Sequence, residues 1–413
     1  MSNLAHMHID PPPMPAEDAQ AAPVMKPVPR ITIHAFCEHP ETGSVIQRAG
    51  EDRRLSKAHL TVHMGGMRAA SEFYQQTATP NLILVETLAG GNELFGHLAS
   101  LAEVCDAGTK VVVLGHLNDV SVYREMIRQG VNEYLVTPLS PIQIIEAVSR
   151  LYVDPDAPPI GRSIAFMGAK GGTGSSTIAH NVGWCISTRM NEDGTAGLDF
   201  NHDPAQGIAD ALMAPERLDD VLLDRLLVKC SDHLSLFAAP AVLDRDLDMD
   251  SESFESVLEI VRETVPCVIV DLPHIWSPWT KKLLMSADEI VITATPDLAS
   301  LRNAKNIIDL AKQTRSNDGM PHLVINQVGV PKRPEIPVKD FAEAIGIEPT
   351  LVLPFNPGLF GAAANNGQMI EELDPKNKAT EGMRYLAKQL CGRDPMPIKA
   401  AKKSFLQRLA RRG

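Results

Sequence analysis

Short apolar runs alternate with amphipathic stretches along most of the chain, beginning near residue 30. Five such runs precede residue 140, and each is typical of a short strand: ITIHAF (31–36), HLTVHM (59–64), NLILVE (81–86), KVVVLG (110–115) and EYLVT (133–137). A segment with helical spacing follows each run, and the last one begins with Ser140 and Pro141, a cap and first-turn pair. This spacing predicts a parallel, doubly wound sheet over residues 30–153.

A second series of the same kind follows a Pro-rich linker at residues 154–162. Its apolar runs are SIAFMG (163–168), LSLFAA (234–239), CVIVDL (267–272), EIVITA (289–294), HLVINQ (322–327) and PTLVLPF (349–355). Helical segments lie between most of them. The pattern therefore predicts an α/β chain with two doubly wound parallel-sheet domains, the second of which spans residues 163–395.

Both ends of the chain depart from this pattern. Residues 1–29 contain seven prolines and few large apolar groups, which predicts a disordered tail. Residues 396–413 carry six basic residues and no acidic one after Pro397, with Phe405, Leu406 and Leu409 on one helical face. The pattern predicts a basic amphipathic tail whose residues 399–413 lie on an anionic membrane surface. The alternatives are a solvated tail and a helix that docks on a partner protein.

Composition narrows the classes of protein. A chain of 413 residues with 44% hydrophobic and 22% charged residues is typical of a globular protein with two domains. The net charge of −12 argues against specific or non-specific nucleic-acid binding, which needs clustered lysine and arginine. The six cysteines have neither C-x-x-C nor zinc-site spacing. No apolar run is long enough to span a membrane, and the N-terminal residues lack a signal peptide's apolar region, so we expect a cytoplasmic protein.

The first domain has polar residues where strands end, but not the set that phosphotransfer needs. Glu38 follows the first strand, Glu86 ends the third, Gly115 ends the fourth, and Thr137 ends the fifth, before Pro138. The unit at 30–153 resembles the receiver domain of response regulators, which has an acidic pair, an aspartate, a Ser or Thr and a lysine at these places. Glu86 is not expected to form the aspartyl phosphate of that family. The resemblance therefore implies a docking module without phosphotransfer.

The stretch FMGAKGGTGSST, residues 166–177, has the composition of a loop that holds phosphates. Glycines allow the tight path and the close approach of an anion to the backbone, and the helix predicted from about Ser175 adds its N-terminal amides. Against the pattern G-x-x-x-x-G-K-[ST], Ser175 takes the place of the lysine and Ser176 that of the Mg²⁺-binding hydroxyl. The predicted nucleotide-binding residues of this loop are Gly171, Gly172, Thr173, Gly174, Ser175, Ser176 and Thr177.

The sequence AKGGTGSSTIAHN resembles the deviant Walker A motif of the MinD/ParA family, K-G-G-x-G-K-[ST]-T. Lys170 matches the family's signature lysine, which reaches the phosphates of the partner in a dimer. Ser175 together with IAHN is similar to the CpaE/TadZ branch, whose members assemble Flp-type (Tad) pili and carry a receiver-like domain before the P-loop domain. The resemblance covers nearly the whole chain and implies a homodimer with ATP and Mg²⁺ as cofactors.

Other positions fit the same family. Asp271 ends an apolar strand at the Walker B position and is expected to bind Mg²⁺ with Ser176. Asn326 matches a family residue that contacts the nucleotide base. The segment NQVG lacks the acidic residue with which GTPases recognise guanine, so adenine is the expected base. The alternative is that Asn326 only forms an Asx turn at the strand end. Pro354 belongs to a segment that covers the base. Asp199 matches a residue that orients the attacking water, although a capping role is equally consistent with it.

Two departures limit the chemistry. The missing Walker lysine removes a charge-assisted contact of about 1.5–3 kcal/mol, which weakens ATP binding without abolishing it. Hydrolysis is expected to be slow or absent unless Lys170 of a dimer partner compensates. In addition, no apolar strand fits between Met190 and Gly194, so the family's strand that ends in D-x-D is predicted to be missing.

The resemblance implies an ATP-binding factor that places pilus or secretion machinery at a cell site, either polar or peripheral to the inner membrane. It leaves open whether the protein is an enzyme, and if so it is a weak ATPase. A scaffold that binds no nucleotide is the alternative of another class. A DNA-partitioning ATPase is a third, which the acidic composition disfavours.

Overall fold

The computed structural model describes residues 28–152, 160–190, 194–195, 220–237 and 251–391. They form two α/β units with one sheet each, a first unit at 28–152 and a second unit made by the described residues from 160 onward. The predicted fold class is therefore confirmed. The predicted domain boundaries, including the 154–162 linker, stay predictions. The tails at 1–27 and 392–413 and the predicted site residue Asp199 lie outside the described residues.

The strands carry the labels β1 to β13 in chain order. Their bounds are β1 Thr32–Cys37, β2 His59–Met64, β3 Leu82–Glu86, β4 Lys110–Gly115, β5 Glu133–Val136, β6 Arg162–Gly168, β7 Gly194–Thr195, β8 Val228–Ser231, β9 Leu234–Leu236, β10 Cys267–Leu272, β11 Glu289–Ala294, β12 His322–Val328 and β13 Leu351–Pro354.

The described α-helices carry the labels α1 to α14. Their bounds are α1 Pro40–Gly50, α2 Gly66–Phe73, α3 Gly91–Ala102, α4 Val120–Arg128, α5 Pro141–Tyr152, α6 Ser175–Cys185, α7 Asp220–Leu226, α8 Ser251–Thr264, α9 Pro278–Ser286, α10 Leu298–Thr314, α11 Val338–Ile345, α12 Pro357–Asn366, α13 Ile370–Leu373 and α14 Lys378–Cys391. A short 3₁₀ helix lies at Arg53–Leu55, and a π-helical segment at Ile186–Met190 extends α6.

The first sheet has five parallel strands in the order β2-β1-β3-β4-β5. Its central strand β3 is buried along its whole length: Leu82 and Leu84 pack into one hydrophobic cluster, while Ile83 and Val85 pack into another. Successive side chains of a strand point to opposite faces, so helices must cover both faces of this sheet. The five strands predicted from the sequence are all present.

The second sheet has eight strands in the order β13-β12-β11-β6-β10-β7-β9-β8. The predicted parallel arrangement holds for every pair except β8 and β9, which are antiparallel. Strand β6 lies in the interior, with Ile164 and Phe166 in one cluster and Ala165 and Met167 in the other. Because the strands of each unit are mainly parallel, each sheet has a carboxyl edge, where strands end, and an amino edge, where they begin.

The prediction that a strand is missing next to β10 needs correction. Gly194 and Thr195 form the two-residue strand β7, which pairs in parallel with β10 on one side and with β9 on the other. A glycine-containing pair has no apolar pattern, so periodicity could not indicate it. The sheet is thus continuous at this place.

Charged side chains connect the two units. The Arg53 guanidinium contacts Asp318 with Nε at 2.9 Å from Oδ2, and Asp288 with Nη1 at 3.1 Å from Oδ1. Arg54 also pairs with Asp318, and the Asn317 amide donates to Asp52 at 3.0 Å. All these residues precede strands of their sheets, so the units meet at their amino edges. None of the described helices is both long and apolar enough to cross a bilayer.

Candidate functional site

The loop between β6 and α6 has the conformation that its glycines permit. Gly172 and Gly174 have φ angles of 79° and 84°, in the left-handed region that side-chain-bearing residues rarely adopt. A methyl group at Gly174 would also approach the Asn326 side-chain nitrogen to 2.7 Å. Helix α6 begins directly afterwards at Ser175, so its first N–H groups lie at the carboxyl edge of the second sheet.

Three side chains from neighbouring elements hold the backbone of this loop. The Asn326 amide donates to the Thr173 carbonyl at 2.8 Å, and the Gln327 amide to the Gly172 carbonyl at 2.9 Å. Asn303 donates to the Ala169 carbonyl at 2.9 Å.

The C=O and the following N–H of a trans peptide point in opposite directions. The three bonds therefore turn the N–H groups of Lys170, Thr173 and Gly174 away from the amides that hold the loop. A row of N–H donors fixed in this manner is the backbone arrangement that binds anions.

Ser175 occupies the place of the Walker lysine with its side chain inside the protein. The residue is 9% exposed, and its hydroxyl oxygen has no hydrogen-bond partner within the described part of the chain. Buried hydroxyl groups normally have a partner, so this one is a position where a ligand oxygen would be stabilised. Ser176, the next residue of the helix, is exposed, and Thr177 is half-buried.

Lys170 is engaged within its own chain. Its ammonium nitrogen lies 2.8 Å from Oδ2 of Asp297, which also accepts from the Thr295 hydroxyl at 2.6 Å. The other carboxylate oxygen of Asp297 caps α10 by accepting the Ser300 N–H at 3.0 Å. Burial opposes ionisation, but the hydrogen bonds from Lys170, Thr295 and Ser300 outweigh it and lower the pKa of Asp297 to about 2.

The remaining predicted site residues lie on neighbouring strands. Asp271 is exposed near the end of β10 and pairs in register with Phe166 of β6, so it is next to the strand that enters the loop. Asn326 of β12 contacts the loop itself. Pro354 is exposed at the end of β13, the strand next to β12 in the sheet. The predicted contacts of Asn326 and Pro354 with a base stay predictions.

Sequence reasoning missed four residues around the loop. Asn303, Gln327 and Asp297 form the bonds described above, and a methyl group at Gly171 would approach the His274 ring to 3.2 Å. Only Asp297 had a local signal, since an aspartate three residues before Ser300 is a helix-cap pattern.

The carboxyl edge of the first sheet is arranged differently. Glu86 is fully buried, and its Oε2 accepts the N–H groups of Glu38 at 2.7 Å and His39 at 2.9 Å. Its Oε1 accepts from the Thr42 hydroxyl at 2.8 Å. Burial alone would raise the pKa of Glu86, but these hydrogen bonds and one from the His39 ring lower it below its ordinary value. The Glu86 carboxylate therefore already occupies the N-terminus of α1, where an external anion would otherwise bind.

Comparisons with known proteins bear on both units. No protein-family model matches the chain. The solved structure of a pilus assembly protein CpaE from Caulobacter crescentus is 54% identical, covering 31% of this chain and 98% of its own, with a TM-score of 0.31. A ParA family ATPase from Chlorobium tepidum is 24% identical over 55% of this chain and 98% of its own, with a TM-score of 0.50, and shows a shared fold.

Among curated proteins, the septum site-determining protein MinD of Synechocystis is 24% identical over 269 residues. That match covers 61% of this chain and 98% of the relative. The 54% identity to the CpaE protein over nearly its whole solved chain decides the family. The chain belongs to the CpaE-type group of the MinD/ParA family.

Proposed function

We propose that this protein is an ATP-binding localisation or assembly factor for Flp-type (Tad) pilus or related secretion machinery. It acts as a MinD/ParA-like homodimer with weak or absent ATP hydrolysis. The observation that carries the proposal is the loop between β6 and α6, whose N–H groups are aimed by Asn303, Asn326 and Gln327. The names of the relatives support the pilus role and the nucleotide class.

The residues present fit a magnesium-bound triphosphate. The loop supplies backbone donors, and the buried Ser175 hydroxyl, which has no partner among the described residues, supplies one more. Ser176 and Asp271 are both accessible at this edge and would hold Mg²⁺, which neutralises phosphate charge. Because no cation stands at residue 175, the chain stabilises developing phosphate charge poorly, and slow turnover follows.

In the proposed function, Lys170 makes dimerisation depend on bound nucleotide. In the single chain its ammonium is bound to Asp297 at 2.8 Å. To reach the phosphates of a second copy it must leave this ion pair, so ATP in the partner competes with Asp297 for the same lysine. This competition makes the dimer depend on nucleotide even when hydrolysis is slow.

The rest of the chain provides attachment. The first unit docks proteins of the machinery without phosphotransfer, since Glu86 is enclosed by its own hydrogen bonds. Residues 399–413 bind anionic lipid and keep the protein peripheral to the inner membrane, at a pole or another marked site.

A nucleotide-free scaffold is the second candidate, and the observation that favours it is Ser175 in place of the lysine. A DNA-partitioning ATPase is disfavoured by the net charge of −12.

Titration calorimetry with Mg-ATP on the full chain separates the first two functions. We expect the wild type to bind and Gly174→Ala to bind more than about tenfold more weakly, because the new methyl group collides with Asn326 and strains the backbone. Gly130→Ala is the matched control: it has a similar φ of 95° but nothing within 4 Å, and it lies in the first unit. Absence of binding by the wild type would favour the scaffold, and equal binding by both variants would mean that ATP is not held by this loop.

Sedimentation with and without Mg-ATP tests the dimer. We expect ATP to shift the wild type toward dimer and Lys170→Ala to lose this shift. Identical sedimentation of the two proteins with ATP would contradict the assigned role of the lysine.

A further inference from the structure

A group of three ionisable side chains lies at the carboxyl edge of the first sheet, away from the phosphate loop. Glu86 ends β3, His39 precedes α1, and His116 follows β4. One oxygen of Glu86, Oε1, lies 3.0 Å from Nδ1 of His39 and 3.6 Å from Nε2 of His116. The three possible ligand atoms lie within 4.8 Å of one another.

Neighbouring groups determine which nitrogen of His116 carries a proton. The Thr137 hydroxyl donates to the Gly115 carbonyl at 3.3 Å, and its oxygen is 2.7 Å from Nδ1 of His116. In the tautomer that directs Nε2 toward Glu86, Nδ1–H of the imidazole donates to the Thr137 oxygen. In the neutral ring, Nε2 then directs a lone pair toward the Glu86 carboxylate.

The carboxylate is held in place by hydrogen bonds. The two backbone N–H groups of Glu38 and His39 fix Oε2, and the Thr42 hydroxyl bonds to Oε1. Glu86 has no exposed surface, whereas the side chains of His39 and His116 are 42% and 40% exposed. A fixed carboxylate with two partly exposed imidazoles above it is an arrangement that a cation completes.

We propose that His39, Glu86 and His116 bind a divalent transition-metal ion of the zinc class. Metal–nitrogen and metal–oxygen bonds of about 2.0–2.2 Å place tetrahedral ligand atoms roughly 3.3–3.5 Å apart. The separations of 3.0 and 3.6 Å from Oε1 lie on either side of this range. The ion takes the place of the proton between His39 and Glu86, and water takes the fourth position on the exposed side.

The ligand chemistry selects the metal. Two imidazoles and one carboxylate suit zinc, cobalt, nickel or copper, while magnesium and calcium prefer sites made of oxygen. The site therefore does not suit magnesium, which prefers ligands that are all oxygen. Thr137 belongs to it as the hydrogen-bond acceptor that orients His116, a common accompaniment of metal-binding histidine.

Equilibrium dialysis of the full chain against Zn²⁺, after removal of metal by a chelator, tests the proposal. We expect His39→Ala and His116→Ala each to lose one tightly bound equivalent relative to the wild type. Thr137→Val should retain the site with about 10- to 100-fold weaker affinity. Co²⁺ in the wild type should show the intense visible bands of a tetrahedral site, absent from both histidine variants.

His97→Ala is the matched control, because His97 lies 4.0 Å from Glu93 on the same unit and has no third ligand in a cluster of the described residues. It should bind zinc as the wild type does. Circular dichroism checks that each variant is folded, which their partly exposed side chains favour. Equal zinc binding by wild type and both histidine variants would overturn the proposal, as would displacement of zinc by millimolar Mg²⁺.

Discussion

The carboxyl edges of the two sheets are both formed by parallel strands that lead into helices, but the groups at the two edges differ. In the first sheet a helix N-terminus meets the buried carboxylate of Glu86, which takes two backbone N–H groups at 2.7 and 2.9 Å. In the second sheet the turn between β6 and α6 is built from glycines. The side-chain amide of Asn326 donates to a backbone carbonyl of this turn, that of Thr173. One edge supplies its own anion, and the other is the edge at which we propose that a phosphate binds.

The difference shows how one architecture can either fill a helix N-terminus with an internal carboxylate or leave it open. N-terminal amides of a helix attract negative charge wherever they occur. A side chain long enough to reach them, such as Glu86, satisfies them permanently. Glycines and a short residue such as Ser175 leave room beside them instead. The identity of a few residues at strand ends therefore decides whether a ligand can enter.

The largest effect is expected from removing the internal anion. Glu86→Ala leaves the part-buried N–H groups of Glu38 and His39 without their acceptor. We expect the free energy of unfolding of the first unit to fall by about 2–5 kcal/mol, because two backbone donors each lose a hydrogen bond to a charged group. Urea denaturation measures it.

Glu93→Ala is the control, since the Glu93 side chain is 71% exposed and the change should stay within about 0.5 kcal/mol. A loss of less than about 1 kcal/mol for Glu86→Ala would mean that the carboxylate is not structural.

An intermediate effect is expected from adding a cation at the second edge. Ser175→Lys restores a charge-assisted contact, so Mg-ATP affinity should rise by about 1.5–3 kcal/mol, roughly 10- to 100-fold. Calorimetry measures the affinity, and a steady-state assay should show faster hydrolysis. Thr188→Lys adds the same charge after the opposite end of α6, at an exposed position, and should change neither. Equal affinity in Ser175→Lys and wild type would argue against a phosphate at residue 175.

The smallest effect concerns the ion pair between Lys170 and Asp297. The folded-state pKa of Asp297 is lowered to about 2 from 3.8, so its stabilising contribution is complete above pH 3.8 and disappears as the pH falls toward 2. Because the Lys170 side chain is 37% exposed, we expect only about 1–2 kcal/mol. Asp297→Asn keeps a helix cap and should remove this part of the acid dependence in unfolding experiments between pH 2 and 5.

Asp309→Asn provides the comparison for that experiment. Asp309 forms an i,i+4 pair with Lys305 in which both side chains are more than 40% exposed. Its loss should alter stability by less than about 0.5 kcal/mol. If both variants keep the wild-type acid dependence, the Lys170 pair is not what holds Asp297 ionised.

Much of the fold could be predicted because it depends on local patterns. The run NLILVE became the buried strand β3, and SIAFMG became β6, since continuous apolar runs are typical of parallel strands. The glycine-rich turn between β6 and α6 was likewise visible in its glycines. The two-residue strand β7 was not, because its place in the sheet comes from β9 and β10 on either side.

The interactions that shape the sites depend on residues far apart in sequence. Asn326 reaches the Thr173 carbonyl from 153 positions away, and Glu86 collects donors from more than 40 positions earlier. Periodicity contains no information on such hydrogen bonds, which arise only when strand ends meet at one edge. The residues that fix the loop therefore had to be found in the structure.

The junction of Arg53 with Asp288 and Asp318 has a consequence for the proposed nucleotide site. It joins the sheets at the ends of strands opposite to the phosphate loop, which lies about 20 Å away along the seven residues of β6. Under the proposed function, a nucleotide at this loop therefore lies at the edge of the second sheet that is remote from the first unit, and the Arg53 junction stays apart from it.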